Sequence, residues 1–295
     1  MKVKEIAPNI YAMTERPGAN AGLIVMPEGA IAVDAPTLPQ DARVWRKKIM
    51  EIAQVPILYV ILTDSSPDRT MSAGIVSGVE DDPSLGIKRA PIVATRAVYN
   101  RAAAYTDGFW RGVVESWSRR FPKEADDLLG RRGALPEIVF TDAITLHKGG
   151  VPVTIKQIEG ATQGSAWIRL LDKNVLFVGD TVVVDTPPVL AATPDSKAWL
   201  DTLTALRRVS FTKTTIVPGR GPVCDQEDTR PLSEYIALAR RRARSLYAAG
   251  QVRAEVMVVV GQMLEYLAIP EKDHDWVQRR LKSGLDRLCD ELRPD

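Results

Sequence analysis

An apolar segment that runs straight into a polar turn limits the possible folds of this chain more than any other stretch. Residues 57–60 are Ile-Leu-Tyr-Val, and residues 61–70 follow as Ile-Leu-Thr-Asp-Ser-Ser-Pro-Asp-Arg-Thr. A short apolar run bounded by turn residues is typical of a buried strand. Turns at the ends of strands often carry functional side chains. We therefore expect Asp64, Ser66 and Asp68, at alternate positions of the turn, to converge on one point.

The rest of the chain predicts a mixture of strands and helices. Apolar runs bounded by turn residues indicate strands at 10–13, 21–26, 30–34, 91–95, 137–140, 144–147, 151–158, 165–171, 175–178 and 215–217. Helical spacing of apolar residues indicates helices over 38–54, from about Thr70, over much of 96–132 and after Pro194. Strict alternation of strand and helix is not present. The order therefore predicts an α+β protein with two packed sheets and helices outside them.

The composition changes at residue 230, where helix-forming residues replace strand signals. We therefore predict a main domain over 1–229 and a C-terminal helical appendage over 230–295. The start of the appendage, residues 230–253, is basic, with one glutamate, Glu234, against six arginines: Arg230, Arg240, Arg241, Arg242, Arg244 and Arg253. No aromatic residue is interleaved in the basic run at 240–244, and the whole chain has 39 Lys+Arg against 37 Asp+Glu. This pattern favours a solvated helix face and makes a nucleic-acid partner unlikely.

Cysteine, histidine and apolar content limit the chemistry and the compartment. The two cysteines, Cys224 and Cys289, are far apart, which excludes a disulfide framework and a Cys-x-x-Cys zinc site. A reducing cytoplasm is expected, with no membrane contact, because no segment has the length and apolarity of a signal peptide or a membrane helix. Only two histidines occur, His147 and His274, and both are expected to face solvent.

Four segments carry motifs in a fixed order. Residues 63–69 are T-D-S-S-P-D-R, residues 160–165 are G-A-T-Q-G-S, residues 175–180 are V-L-F-V-G-D, and residues 216–223 are I-V-P-G-R-G-P-V. These segments resemble four motifs of the metallo-β-lactamase superfamily. In the same order, the motifs are the T-H-x-H-x-D-H turn, the G-H-T-P-G-S loop, the strand ending in a metal-bridging aspartate and the I-V-P-G-H-G-P-V segment. Residues 20–34 resemble its opening hairpin. The resemblance covers about residues 10–225 and implies a four-layer αββα sandwich.

The resemblance also implies a metal site, and this sequence departs from it. In the superfamily, five histidines and two aspartates at these positions hold two zinc ions and a bridging hydroxide. The aspartate positions are retained here as Asp68 and Asp180, and Asp34 matches the aspartate that supports the site. The five histidine positions are occupied by Asp64, Ser66, Arg69, Ala161 and Arg220. Because zinc prefers imidazole and thiolate ligands, we expect no zinc and no other cofactor.

The replacements suggest how the site is stabilised without metal. Four carboxylates left in a cavity without a cation would be costly, because each buried unpaired charge costs several kcal/mol. Arg69 and Arg220 could pair with Asp68 and Asp180 and take over the electrostatic role of the metals. The main hypothesis is therefore a metal-free pseudoenzyme, a binding or assembly protein that holds an anionic small molecule in an Asp/Arg-lined former active site.

Three alternatives remain open at this point. Asp64, Asp68 and Asp180 have the oxygen ligands that Mg²⁺, Mn²⁺ or Ca²⁺ prefer, although the arginines would repel the ion. A hydrolase of ester, lactone or thioester type could use this altered metal site, or Asp68 as a metal-free general base. The chain could also be an interaction subunit of a homo- or hetero-oligomer, since superfamily members commonly form dimers. Three tryptophans could line a ligand pocket or fill the core: Trp110, Trp117 and Trp167.

Overall fold

A computed structural model describes residues 1–79, 89–248, 252–266 and 269–293. Its strands are β1 (Lys4–Ala7), β2 (Ile10–Met13), β3 (Ala21–Met26), β4 (Gly29–Val33), β5 (Ile57–Ile61), β6 (Ile92–Thr95), β7 (Ile138–Phe140), β8 (Ala143–Lys148), β9 (Val151–Gln157), β10 (Ala166–Leu170), β11 (Val175–Val183) and β12 (Thr215–Arg220). Its helices are α1 (Pro39–Ala53), α2 (Pro67–Thr70), α3 (Ala73–Ser77), α4 (Arg96–Ala103), α5 (Asp107–Arg120), α6 (Ala125–Leu128), α7 (Ser196–Leu206), α8 (Thr229–Ala248), α9 (Val252–Leu264) and α10 (His274–Glu291).

The strands form two sheets. The first has the order β1-β2-β3-β4-β5-β6-β7, antiparallel from β1 to β4 and parallel from β4 to β7. The second has the order β12-β11-β10-β9-β8 and is antiparallel except for the β11–β12 pair, which is parallel. Parallel neighbours require a crossover connection. Helix α1 lies in the crossover from β4 to β5, and α7 lies in the crossover from β11 to β12.

Alternation along the strands explains the layers. In β3, Leu23 packs in the hydrophobic cluster that contains Trp45 and Ile49 of α1, whereas Ile24 packs in the cluster shared with the second sheet. Successive side chains of a strand point to opposite faces, so the first sheet is covered by helices on one face and by the second sheet on the other. This arrangement agrees with the predicted sandwich of two sheets with helices outside.

The turn after β5 departs in detail from the sequence prediction. The helix expected from about Thr70 begins at Pro67, and a second short helix, α3, follows it. Proline is favoured in the first turn of a helix because its fixed φ suits the helix and its missing N–H is not needed there. As a result, Asp68 and Arg69 lie on a helical turn rather than in an extended loop.

The C-terminal helices pack against the second sheet and α7 in one hydrophobic cluster, which includes Leu176, Trp199, Ile236 and Leu285. Helix α8 begins at Thr229, beside the predicted boundary at residue 230, and the division into a main domain and an appendage stays a prediction. The arginines of α8 are exposed, except that Arg240 is buried and bonded to Glu291 of α10. The side chain of Arg253 lies outside the described residues. None of the described helices is both long and apolar enough to cross a membrane.

Candidate functional site

The ends of four strands bring the motif residues together. Asp34 follows β4 and Asp64 follows β5, whereas Asp180 lies within β11 and Arg220 ends β12. The backbone of Asp34 has φ +56°, a left-handed conformation that aspartate adopts more readily than most residues. All four predicted aspartates and both predicted arginines are buried, with at most 6% of each residue exposed: Asp34, Asp64, Asp68, Asp180, Arg69 and Arg220. The sequence motifs therefore meet in one buried cluster.

Arg69 lies at the centre of this cluster and is fully buried. Its Nε donates to Asp34 Oδ2 at 2.9 Å, and its Nη2 donates to Asp180 Oδ1 at 2.8 Å. Its Nη1 lies 3.3 Å from Asp64 Oδ2. Because the guanidinium group is planar and presents its donors in fixed directions, one side chain can serve three separate carboxylates. Arg69 therefore occupies the space between the aspartates with a fixed positive charge.

Arg220 joins the remaining carboxylate to the cluster. Its Nη2 donates to Asp68 Oδ2 at 2.6 Å and to Asp180 Oδ2 at 3.0 Å, and its Nε donates to Asp180 Oδ2 at 3.2 Å. Asp180 thus bridges the two arginines, with one oxygen bonded to each. The other oxygen of Asp68 accepts a bond from Trp117 Nε1 at 3.1 Å.

These partners differ in one respect from those expected from the sequence. Arg69 was expected with Asp68 or Asp180, yet its carboxylate partners among the described residues are Asp34, Asp64 and Asp180. Asp68 pairs with Arg220 instead. The physical reason is the helical turn of α2, which places Asp68 and Arg69 on adjacent positions that point in different directions.

The carboxyl groups of the cluster respond differently to burial. Burial raises the pKa of Asp64 to about 6, although Arg69 opposes the rise. Burial also raises the pKa of Asp34 against Arg69 and the two hydrogen bonds from Thr63. For Asp68, burial is outweighed by Arg220 and Arg280 together, and the pKa is lowered. For Asp180, burial is outweighed by Arg220 and Arg69 together, and the pKa is again lowered. Asp68 and Asp180, which bond to Arg220, therefore stay ionised to lower pH than Asp64.

The residues present do not fit the two zinc ions that the family resemblance implies. Neither imidazole nor thiolate lies in the cluster, and Ala161 at one histidine position is fully buried in a hydrophobic cluster. The predicted ligands of a hard cation, Asp64, Asp68 and Asp180, bond to arginines instead. Within the described part of the chain, no three or more His, Cys, Asp or Glu side chains are grouped so as to hold a metal ion. His147 and His274 are exposed, as predicted.

A cavity of about 790 Å³ lies beside the cluster. Ser66, Asp68 and Asp180 from the motifs line it, together with Thr162 and Gln163 of the loop at 160–165. Its volume is within the range of small-molecule sites. Of the three tryptophans considered from the sequence, Trp117 lines this cavity, whereas Trp110 packs in a cluster with Leu128 and Trp167 packs against Phe211.

Sequence reasoning missed several residues of the cavity wall. Four of them come from segments outside the motifs: Tyr105, Phe109, Trp276 and Arg280. Tyr105 and Phe109 lie at or near the start of α5. Trp276 and Arg280 lie on α10, roughly a hundred residues or more along the chain from Asp68 and Asp180, which line the same cavity. Each lies in a segment with ordinary helical spacing, so no local signal marked it.

The sequence matches the family model described as "Metallo-beta-lactamase superfamily" over residues 15–220. The chain belongs to the metallo-β-lactamase superfamily. A search of curated proteins found no significant sequence match. Solved structures of superfamily members share the fold, so the αββα sandwich predicted from the motifs is confirmed.

Three of these structures show how far the similarity extends. A metallo-β-lactamase from Pontibacter korlensis is 17% identical, with a TM-score of 0.60 over 80% of this chain and 98% of its own. A metallo-β-lactamase family protein from Thermus thermophilus is 15% identical, with a TM-score of 0.67 over 97% of this chain and 95% of its own. A β-lactamase domain protein from Burkholderia ambifaria is 18% identical, with a TM-score of 0.65 over 100% of this chain and 90% of its own. The last two matches extend over the C-terminal helices as well.

Proposed function

We propose that this superfamily member is a metal-free protein that binds an anionic small molecule in the cavity beside the Arg69–Arg220 cluster. One observation carries the proposal: arginine side chains take up the carboxylate oxygens at the positions where the superfamily binds zinc. The cavity next to them remains large enough for a ligand. Function in this fold resides in the site rather than in the architecture, and this site has the groups for binding rather than for activating water.

A metal-free hydrolase is less well supported. Both oxygens of Asp68 are engaged, one with Arg220 and one with Trp117, and its pKa is lowered. A carboxylate with a low pKa is a weak base, and efficient general bases have a pKa near the working pH. Asp68 as a general base therefore stays a prediction that our proposal does not use.

Two coarser properties complete the proposal. We place the protein in the cytoplasm, because its two cysteines are free and buried and need no oxidising compartment. We also propose a homodimer, as commonly found in the superfamily, and the solution mass from sedimentation equilibrium tests it. A monomer over the micromolar range would contradict the dimer and would leave the binding proposal intact.

The test of the binding proposal is a thermal-shift screen with small carboxylates, sulfonates and phosphates, run beside hydrolase assays on ester, lactone and thioester substrates. A ligand that binds only the folded state raises the melting temperature with concentration. We expect a shift with some anions and no turnover of any substrate. Turnover above the level of an Asp68→Asn variant would contradict the proposal and favour the hydrolase.

A further inference from the structure

The cavity contains a cation that forms no ion pair with the motif cluster, although its charge helps to lower the pKa of Asp68. Arg280 of α10 lines the cavity, and its guanidinium lies 4.1 Å from the ring centroid of Trp276. Within the described residues, no carboxylate pairs with it. Arg69 cannot serve a ligand, because it is fully buried and its donors are bonded to aspartates. Arg280 is therefore the arginine left to meet a ligand.

The neighbouring arginines show how unusual this is. Arg120 of α5 also stacks on Trp276, at 4.2 Å, but it forms an ion pair with Asp273 at 2.8 Å. Arg287 of α10 lines the cavity and donates to the backbone oxygen of Pro194 at 2.8 Å. Arg101 lines the cavity as well, yet it is exposed to solvent and screened. Arg280 alone of these four combines a partly buried side chain with the lack of a carboxylate or carbonyl hydrogen-bond partner among the described residues.

The surroundings of Arg280 make its charge costly in the free protein. Burial lowers its pKa to about 10, and repulsion from Arg220 contributes, whereas attraction from Asp68 and Asp180 opposes the fall. The two carboxylates offset only part of the cost of this buried charge, because the pKa is lowered on balance. An anion in the cavity would remove this cost, which favours binding of negative charge at Arg280.

The walls beside Arg280 are aromatic. Tyr105 and Phe109 stack with ring centroids 3.9 Å apart and planes at 9°, and Trp117 meets Trp276 edge-on at 6.2 Å. All four rings line the cavity. Flat apolar groups pack well against such surfaces. Asp68 and Asp180 line the same cavity, so additional negative charge on a ligand would be repelled.

We infer that Arg280 is the anion-binding residue of this cavity and that its ligand is a monoanionic carboxylate with a flat apolar body. The carboxylate accepts two parallel hydrogen bonds from the guanidinium, a geometry that arginine favours. The apolar body lies among the aromatic rings. The inference rests on the proposed function and gives it a ligand class. It also assigns the C-terminal helix a direct part in binding.

The test compares two probes of one shape, 2-naphthoate and its neutral amide 2-naphthamide, by quenching of tryptophan fluorescence and by calorimetry. We expect the wild type to bind 2-naphthoate at least about tenfold more tightly than the amide, the difference typical of one charged hydrogen-bonded contact. Arg280→Gln is expected to lose this preference while its affinity for the amide stays the same. Lys282→Gln removes one charge from the exposed part of the same helix and is expected to behave as wild type.

The outcomes separate the two proposals. If Arg280→Gln keeps the tenfold preference, Arg280 is not the anion-binding residue, although the cavity still binds anions. If the wild type shows no saturable binding of 2-naphthoate, the inferred ligand class is contradicted, and only a thermal-shift screen in which no anion gives a shift would also contradict the proposed function. Circular dichroism and a cooperative melt establish that the Arg280→Gln variant is folded.

Arg280→Lys gives a second test of the same contact, because it keeps the positive charge and loses the planar guanidinium group. We expect its preference to be intermediate, and a preference equal to that of the glutamine variant would contradict the role of charge.

Discussion

At the scale of the residue, Arg69 explains why the core of this site is stable. Three of its nitrogens each approach a different aspartate, and no part of the residue is exposed. A buried ion cluster of this kind contributes little net stability relative to an apolar core, but breaking it from one side is costly. The reason is that the carboxylates left behind have neither water nor a counter-charge.

Replacement of Arg69 is therefore expected to destabilise the protein strongly. We expect Arg69→Met to lower the free energy of unfolding by about 3–5 kcal/mol, the usual cost of removing one partner of a buried ion pair. Arg69→Lys is also expected to be destabilising, because an ammonium group cannot reach three separate carboxylates. Urea unfolding measures both, with Arg208→Gln at an exposed position as the charge-matched control. A methionine variant as stable as this control would contradict the role of Arg69.

Asp64 predicts a specific pH dependence. Its pKa is about 6 in the folded protein against an ordinary value of 3.8, so the folded state binds more protons than the unfolded state between these values. Its contribution to stability therefore decreases as the pH rises from about 4 to 6 and is constant above that range. The Asp64→Asn variant has no carboxyl group at this position and does not lose stability in this way. Relative to wild type, we expect the variant to gain about 2 kcal/mol between pH 4.5 and 7.5, at about 1.4 kcal/mol per pKa unit.

Asp180→Asn at the same cluster is the matched control. The pKa of Asp180 is lowered, so its contribution is present above its ordinary pKa and is lost only in stronger acid. We expect Asp180→Asn to be destabilised by a similar amount at pH 4.5 and 7.5. Urea unfolding at the two pH values compares the variants. A flat difference for Asp64→Asn would show that Asp64 is ionised throughout this range and would contradict its raised pKa.

Most residues of the buried ion cluster were predictable from the sequence, because each motif places a cluster residue in or directly after a strand or in the turn that follows it. The partners within the cluster were less predictable, since they depend on how the turn at Pro67 sets the direction of Arg69. Arg280 and Trp276 were not predictable at all. On a helix with ordinary amphipathic spacing, an arginine is normally part of a solvated face, and only the tertiary packing of α10 brings this one to the cavity.

At the scale of the element, the close approach of β11 and β12 leaves just enough space for the Arg69–Asp180 ion pair. Gly219 of β12 has no side chain, and a Cβ there would overlap Nη2 of Arg69 and Oδ1 of Asp180. Asn20 helps hold this strand, because its Nδ2 donates to the backbone oxygens of Pro218 and Gly221 at 2.9 and 2.8 Å. The ion pair between α2 and β11 thus depends on the backbone of a third element.

Gly219→Ala tests this arrangement. The added methyl group would push the Arg69–Asp180 pair apart, and we expect a loss of about 1–3 kcal/mol in the free energy of unfolding, as for other overpacked cores. Gly261→Ala on α9 is the matched control, because a Cβ at that position meets no atom within 4 Å. It is expected to be neutral or to stabilise by up to about 1 kcal/mol. Equal stability of the two alanine variants in urea would contradict the tight packing around Gly219.

The strand and helix order was largely predictable, because apolar periodicity and turn residues mark these elements locally. The helix over Pro39–Ala53 agrees with the helix predicted over 38–54, and α7 follows Pro194 as predicted. Asp195 caps α7 by accepting bonds from the backbone N–H groups of Lys197 and Ala198. Strand β11 is longer than predicted and extends to Val183. Its continuation passes through Gly179 and Asp180, residues of low strand propensity that the neighbouring strand and the ion cluster hold in place.

At the scale of the whole molecule, the superfamily fold has kept its architecture while the chemistry at its centre has changed. Two sheets still bring the ends of β4, β5, β11 and β12 to one place, and the C-terminal helices still cover the second sheet. Arginine side chains now supply the positive charge that the aspartates require. Under the proposed metal-free function, the protein is expected to be insensitive to chelators.

The measurement that tests this most directly is the metal content of protein purified without a histidine tag and without chelators, with thermal melts in EDTA and in added Zn²⁺. We predict far less than one metal ion per chain and the same melting temperature in all three conditions, because a ligand stabilises only a folded state that binds it. Stoichiometric metal, with a melting temperature lowered by EDTA, would show that the aspartates bind a cation in place of the arginines and would contradict the account.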